Sequence, residues 1–282
     1  MHGSAGLPGD ACWRRRGLLD CQQMRPRLRH TIFAILMAAL ACTASPRLYY
    51  VRAELPILEE DSALAVAPGP WKNIPVVVSD TASLPDDLVL PALKALMALP
   101  GAADACDPNT GFPRLDAAEY CIALYRTPQD WRVSWPIRNL LGERDSCRPP
   151  FGGVEDEDFG RNLPVIGFAH NHPCGTKMSS PDLTIFPMVK TGEGLWVMVA
   201  YGAAPDGRLA RDSSGQLIPA WHWLATGRKD TPRFYKWNSE GKVFLWNEAT
   251  KHWEFKAICQ PQSSSMLSPR AASPQCLPGL DG

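Results

Sequence analysis

Residues 167–183, GFAHNHPCGTKMSSPDL, hold two of the chain's six histidines, His170 and His172, one residue apart. The run that leads into them, LPVIGFAH, is apolar and reads as a strand. Strand side chains alternate between faces, so both imidazoles point the same way, with Cα atoms about 6–7 Å apart. Two ring nitrogens at that spacing can converge on one ion, since zinc–nitrogen bonds are about 2.0–2.1 Å. Pro173 ends the strand because it has no N–H to give to the ladder. Ser180 then reads as an N-cap with Pro181 at the first helical position. Asp182 falls in that first turn, with its carboxylate aimed back at the strand end. Two histidines and one carboxylate, with a fourth position open to water, make a catalytic rather than a structural zinc set. An H-x-H pair alone is weak, because one buried and one solvated histidine give the same pattern.

The order H-N-H-P, a short loop, then S-x-x-D resembles the motif of the JAMM/MPN metalloprotease superfamily, in the H-N-H-P-x-G wording of bacterial RadC-like members. His170, His172, Pro173, Ser179 and Asp182 carry the resemblance, which covers roughly residues 80–202. Five residues separate Pro173 from Ser179, about one fewer than most members have, so either Ser179 or Ser180 takes the family's serine position. The resemblance also implies a glutamate on an earlier strand. Glu119, at the head of EYCIALYR, fits that place, ahead of Glu143, Glu155 and Glu157 in loops. What it implies chemically is a zinc peptidase or isopeptidase: Zn²⁺ on His170, His172 and Asp182, Glu119 carrying the proton, Ser179 stabilising the oxyanion. The implied fold is α/β, a JAMM-type (cytidine-deaminase-like) central mixed sheet flanked by helices. Cys174, just past Pro173, reads as a disulfide cysteine or as a fourth ligand. His222 and His252 have no metal spacing and read as structural.

Several elements must position these residues. A helix with a serine N-cap at Ser83 is predicted to run to about Leu99, kinked by Pro91. Residues 118–126 and WRVSW, joined by a TPQD turn, form a β-hairpin. The acidic stretch GGVEDEDFG reads as a solvated surface loop, with a substrate-facing flap as the alternative. A short helix is expected from Asp182 to about Lys190, then a buried strand over 194–202. Residues 234–255 read as three short strands carrying Trp237, Trp246 and Trp253, a small antiparallel β appendage. Its aromatic stripe is core packing or, on a second reading, the working surface of a non-catalytic binding module.

The predicted boundaries are 1–41 leader and signal peptide, 42–80 linker or irregular wrap, 81–202 metallohydrolase domain, 203–259 β-rich extension and 260–282 disordered tail. The leader shows a basic segment (Arg25, Arg27, Arg29), an apolar run and Ala39-Leu40-Ala41, the three parts of a secretory signal. Of nine cysteines, Cys12, Cys21 and Cys42 lie before or just after that site, leaving six, an even number suited to disulfides outside the cytoplasm. Cys42 at the first mature position raises a lipid anchor. The expected location is the periplasm or the exterior. With 29 basic and 29 acidic side chains the formal net charge is zero, which gives no electrostatic reason for nucleic acid as a partner. The expected substrates are peptides, isopeptides or cell-wall cross-links.

Overall fold

Apolar residues in the described part of the chain fall on strands far more than on helices. The computed structural model describes residues 49–50, 57–58, 61–66, 71–79, 83–139, 147, 153–263 and 272–280, all within a compact unit of residues 45–282. The predicted signal peptide and Cys42 lie outside the described residues. Among these residues there is one α-helix, α1 (Asp86–Ala98). The strands before the histidines are β1 (Tyr49–Tyr50), β2 (Ile57–Leu58), β3 (Asp61–Val66), β4 (Tyr120–Arg126), β5 (Trp131–Val133), β6 (Ile137–Asn139) and β7 (Val154–Glu155). Then come β8 (Val165–Asn171), β9 (Met188–Lys190), β10 (Trp196–Met198) and β11 (Trp221–Gly227). The last four are β12 (Pro232–Asn238), β13 (Lys242–Asn247), β14 (His252–Gln260) and β15 (Gln275–Leu277).

Eleven strands form one sheet in the order β15-β14-β13-β12-β11-β8-β4-β6-β3-β2, with β5 paired to β4. Only β8 and β11 run parallel; every other pairing in this sheet is antiparallel. The helix packs on one face, where Leu88, Ala92, Leu93 and Leu96 meet Tyr120, Ile122, Leu124, Trp223 and Phe234. The opposite face carries Cys121, Ala123, Tyr125 and Phe168 on one side and Leu224, Tyr235 and Trp237 on the other. Gly167 lies where β8 and β11 press together: a Cβ there would stand 1.7 Å from the Trp221 carbonyl oxygen.

This overturns the helix-flanked α/β expectation. Over the described residues the fold is mostly β, a large mixed sheet with one α-helix on one face. A parallel pair needs a long crossover, usually a helix, but residues 172–220 contain Pro173, Pro181, Pro187, Pro205 and Pro219 together with six glycines. No helix survives that density of breakers. The helix predicted from Asp182 to Lys190 is a single 3-10 turn, Pro181–Thr184, followed by β9. The strand expected over 194–202 is β10, but it is not buried: Leu195 is 62% and Met198 52% exposed, and β10 pairs only with β9. The tryptophan-rich strands exist as β12, β13 and β14, yet they continue the main sheet instead of forming an appendage. Trp237 is fully buried, and Trp246 and Trp253 pack toward the helix, where Trp253 Nε1 donates to Asp86 Oδ1 (2.6 Å). The helix begins behind Pro85, not Ser83, with no side-chain cap. The hairpin of β4 and β5 forms as expected.

The acidic stretch is not wholly solvated. Asp156 is buried and accepts from Tyr125 Oη (2.6 Å), Arg132 Nη1 (3.1 Å) and the backbone N–H groups of Asp158 and Phe159. Burial pushes its carboxyl up, but the Tyr125 phenol, the two backbone donors and the Arg132 guanidinium outweigh that and hold it below the usual range. A depressed carboxylate contributes stability above its unfolded value, about 3.9, and loses it as pH falls through the folded value. Asp156→Asn is therefore expected to lower stability at pH 7 by about 1.5–3 kcal/mol, the range for hydrogen bonds to a charged group. Denaturant melts at pH 7 and pH 3 check this: the deficit should shrink at the lower pH, and a pH-independent deficit would contradict the assignment.

Candidate metal centre

His170 lies near the end of β8, flanked by Cys121 of β4 and Leu224 of β11. Glu119 stands one residue before β4, and His172 one residue beyond β8. Alternation puts Glu119 and the two histidines on the face away from the helix. Asn171, between the histidines, points to the other face. Its Oδ1 accepts from the Tyr120 N–H (2.8 Å), and its Nδ2 donates to the carbonyls of Ala102 (2.7 Å) and Ala118 (3.1 Å). The middle residue of H-N-H thus fixes the backbone on both sides of Glu119.

The ligating atoms converge. Glu119, His170 and His172 offer atoms that all lie within 4.8 Å of one another, and all three residues are buried. His170 Nε2 and His172 Nε2 are 3.1 Å apart. Asp182 closes the opposite side, with Oδ1 3.4 Å from His170 Nε2 and Oδ2 3.4 Å from His172 Nε2. Four-coordinate zinc with bonds of about 2.0–2.1 Å requires donors about 3.3–3.4 Å apart. These edges match that size.

The hydrogen-bond chain also fixes which ring nitrogens face the site. His222 Nδ1 lies 3.0 Å from the Ile185 carbonyl, which can only accept, so that nitrogen carries the hydrogen. Burial, with the charge of His170 nearby, pushes His222 down to about 3, so its ring is neutral and Nε2 accepts. His170 Nδ1, 2.8 Å away, must then donate, which turns His170 Nε2 toward the site. His172 Nδ1 donates to the Thr176 carbonyl (3.0 Å), which turns its Nε2 toward the site too. Two ring nitrogens 3.1 Å apart and a buried carboxylate call for positive charge among them, as protons or as a metal ion. The same demand appears as a proton affinity. Burial pulls His172 down, but hydrogen bonding to Asp182 and the charge of Glu119 outweigh it and raise the group to about 9. Burial likewise raises Glu119 to about 7, against the pull of the two histidines. The donor set fits a divalent ion.

His222 is the site residue that sequence reasoning missed. It orients His170 and stacks on Trp237 at 4.6 Å and 8°. The alternation W-H-W, with two tryptophans in the helix-face core, is the signal that the histidine between them faces the other way. Of the two candidate serines, Ser179 reaches the site: its backbone N–H (2.6 Å) and hydroxyl (2.8 Å) both donate to Asp182 Oδ2. Ser180 faces the tail, where its Oγ accepts from the Gln262 N–H (2.9 Å). Cys174 is paired with Cys106, so it is no ligand. Glu155 and Glu157 lie away from the cluster, and Glu143 falls outside the described residues. His252 is exposed at the start of β14. A cavity of about 10 Å³ borders Glu119, His170, Asp182 and His222, about the volume one water needs.

The six cysteines pair as Cys106–Cys174, Cys121–Cys147 and Cys259–Cys276. Three disulfides are consistent with an extracellular or periplasmic location. Among the described residues, no helix is long and apolar enough to cross a membrane. No family model, no curated protein and no solved structure matches the chain.

Proposed function

We propose that this is an exported, zinc-dependent hydrolase of amide bonds, acting on peptide or isopeptide linkages such as cell-wall cross-links. The observation that carries the proposal is the meeting of His170, His172 and Asp182 at tetrahedral spacing, with a fourth group, Glu119, held near neutrality beside them. Imidazole and carboxylate together suit zinc among the common divalent ions. The ion would supply Lewis acidity, which lowers the pKa of water at the site and polarises an acyl oxygen. Glu119 takes the water's proton and passes it to the leaving amine; a carboxyl with a value near 7 suits both halves of that task. His222 keeps His170 in the tautomer that presents Nε2. Ser179 holds the Asp182 carboxylate in line.

The spare donor of Ser179 is spent on Asp182, so its first role here is ligand orientation. Ser179→Ala is expected to weaken zinc binding by about 10–100-fold, as loss of an outer-shell partner does. Competition with a chromophoric chelator measures this. Unchanged affinity with a fall in turnover would instead make Ser179 the oxyanion donor.

The small cavity favours a second reading, a metal site closed to substrate. The two separate cleanly. Purified chain should contain equimolar zinc by elemental analysis, and it should cleave lysine isopeptides from a synthetic panel. Zinc without cleavage supports the closed site, and no zinc removes both readings.

A further inference from the structure

We infer that the three disulfides are positioning elements of the metal centre, each pinning one of the site groups that lies outside a strand, so that the centre forms fully only in the oxidised chain. The inference rests on the reading of His170, His172 and Asp182 as ligands and Glu119 as proton carrier. His170 needs no such support, because β4 and β11 hold β8 from both sides around it. Glu119 and Asp182 have no ladder of their own, and His172 keeps a single rung, its N–H donating to the Ala225 carbonyl (3.0 Å).

His172 stands past the end of β8, at the start of a turn. Cys174, two residues on, is tied to Cys106, and the Ala105 N–H donates to the Pro173 carbonyl (3.0 Å) between them. Glu119 stands before β4. Its Oε1 accepts from the Cys147 N–H (3.1 Å), and Cys147 is tied to Cys121, two residues from Glu119. Asp182 sits in a 3-10 turn of four residues, too short to be stable alone. The residue before that turn, Ser180, is gripped by the C-terminal tail: its N–H donates to the Ala272 carbonyl (2.8 Å), and its Oγ accepts from the Gln262 N–H (2.9 Å). Gln262 and Ala272 lie inside the loop closed by the Cys259–Cys276 bridge, which fastens that tail to β14. One bridge thus stands beside each of these three groups, whereas His170, though paired with Cys121, is held by ladders on both sides. In a reducing compartment the ligands of the two outer arms would be free to wander, and metal would be held loosely.

The test is zinc affinity, read by chelator competition, in wild type and in three paired variants with serine in place of both cysteines, since serine adds no thiolate ligand. Near-UV circular dichroism, sensitive to Trp237 stacked on His222, reports whether each variant is folded. Cys106→Ser/Cys174→Ser and Cys259→Ser/Cys276→Ser should each lose about 10–100-fold in affinity, as outer-shell losses do. Cys121→Ser/Cys147→Ser frees a group that is not a ligand, so its affinity should match wild type although its melting temperature falls. Ser180→Ala keeps every bridge and cuts one tail contact, so it should lose affinity in the same direction. Folded variants that all bind like wild type, or all lose affinity equally, would overturn the inference and leave the metal reading standing. If the paired variants do not fold, full zinc affinity in Ser180→Ala overturns it. Wild type that binds no zinc removes the metal reading itself.

Discussion

Zinc binding is expected to vanish in His170→Ala and in Asp182→Ala, and to survive in His252→Ala. Each of the first two removes one of only three protein ligands, and two remaining donors do not define a site. His252 is exposed and remote from the cluster, so it controls for the loss of a histidine as such. The effect is legible in stability as well as in metal content. An ion that binds only the folded chain, at 1,000 times its Kd, stabilises by about 4 kcal/mol. At about 2–4 °C per kcal/mol for a chain of this size, wild type should melt about 8–16 °C higher with zinc than with chelator. The two ligand variants should show no such difference. If both retain equimolar zinc, the ligand assignment is wrong. If only Asp182→Ala retains it, Glu119 has taken the third position, which its distance from the two imidazoles allows.

Much of this site is legible along the chain because it depends on short-range rules. Two residues apart on a strand means the same face, and a proline after the second histidine means the strand stops there. Glu119 is legible only through the family resemblance, which implies a glutamate on an earlier strand; the pairing of Cys121 with His170 brings it into place. His222 was not legible at all by spacing. It arrives from fifty-two residues away through the parallel pairing of β11 with β8, a contact that no local pattern encodes. The same holds for the disulfides. Six cysteines allow fifteen pairings, and the choice among them is made by strands and turns that meet late.

The fold was misread for a related reason. The histidine motif suggested a sheet with helices on both faces, and a parallel strand pair ordinarily brings a helix with it. Here the forty-nine residues between His172 and Trp221, counted from the former, carry too many prolines and glycines to coil, and they cover the sheet with turns and the β9–β10 hairpin. The alternation of Trp221, His222, Trp223 and Leu224 marks β11, a strand absent from the sequence-based expectations, and the tryptophan-rich strands after it read as a separate sheet. In the folded chain the helix-face core runs on from β8 into β11 and β12, through Ala169, Trp223 and Phe234. Local period is legible in β8 and β12; the partners of these strands are not.

Glu119→Gln should separate chemistry from binding. The amide keeps the size of the side chain and can still accept the Cys147 N–H through its oxygen, so the fold and the three ligands are left as they are. What it loses is the capacity to take a proton. General-base loss typically slows a reaction by about 10²–10⁴-fold, and turnover of an isopeptide substrate should fall by that factor with zinc content unchanged. The reason to expect the full effect is burial: Glu119 is 6% exposed, and among the described residues no second carboxylate except Asp182, already committed to the two histidines, reaches the cluster. A purely structural Glu119 would give a different result. Removing a buried charge whose folded value is raised to about 7 should then stabilise the protein slightly above that pH and leave turnover alone. Measuring the melting temperature, the zinc content and the rate on the same preparation distinguishes the two. A variant that cleaves as fast as wild type places the proton acceptor elsewhere, and Glu143, outside the described residues, is the next to replace.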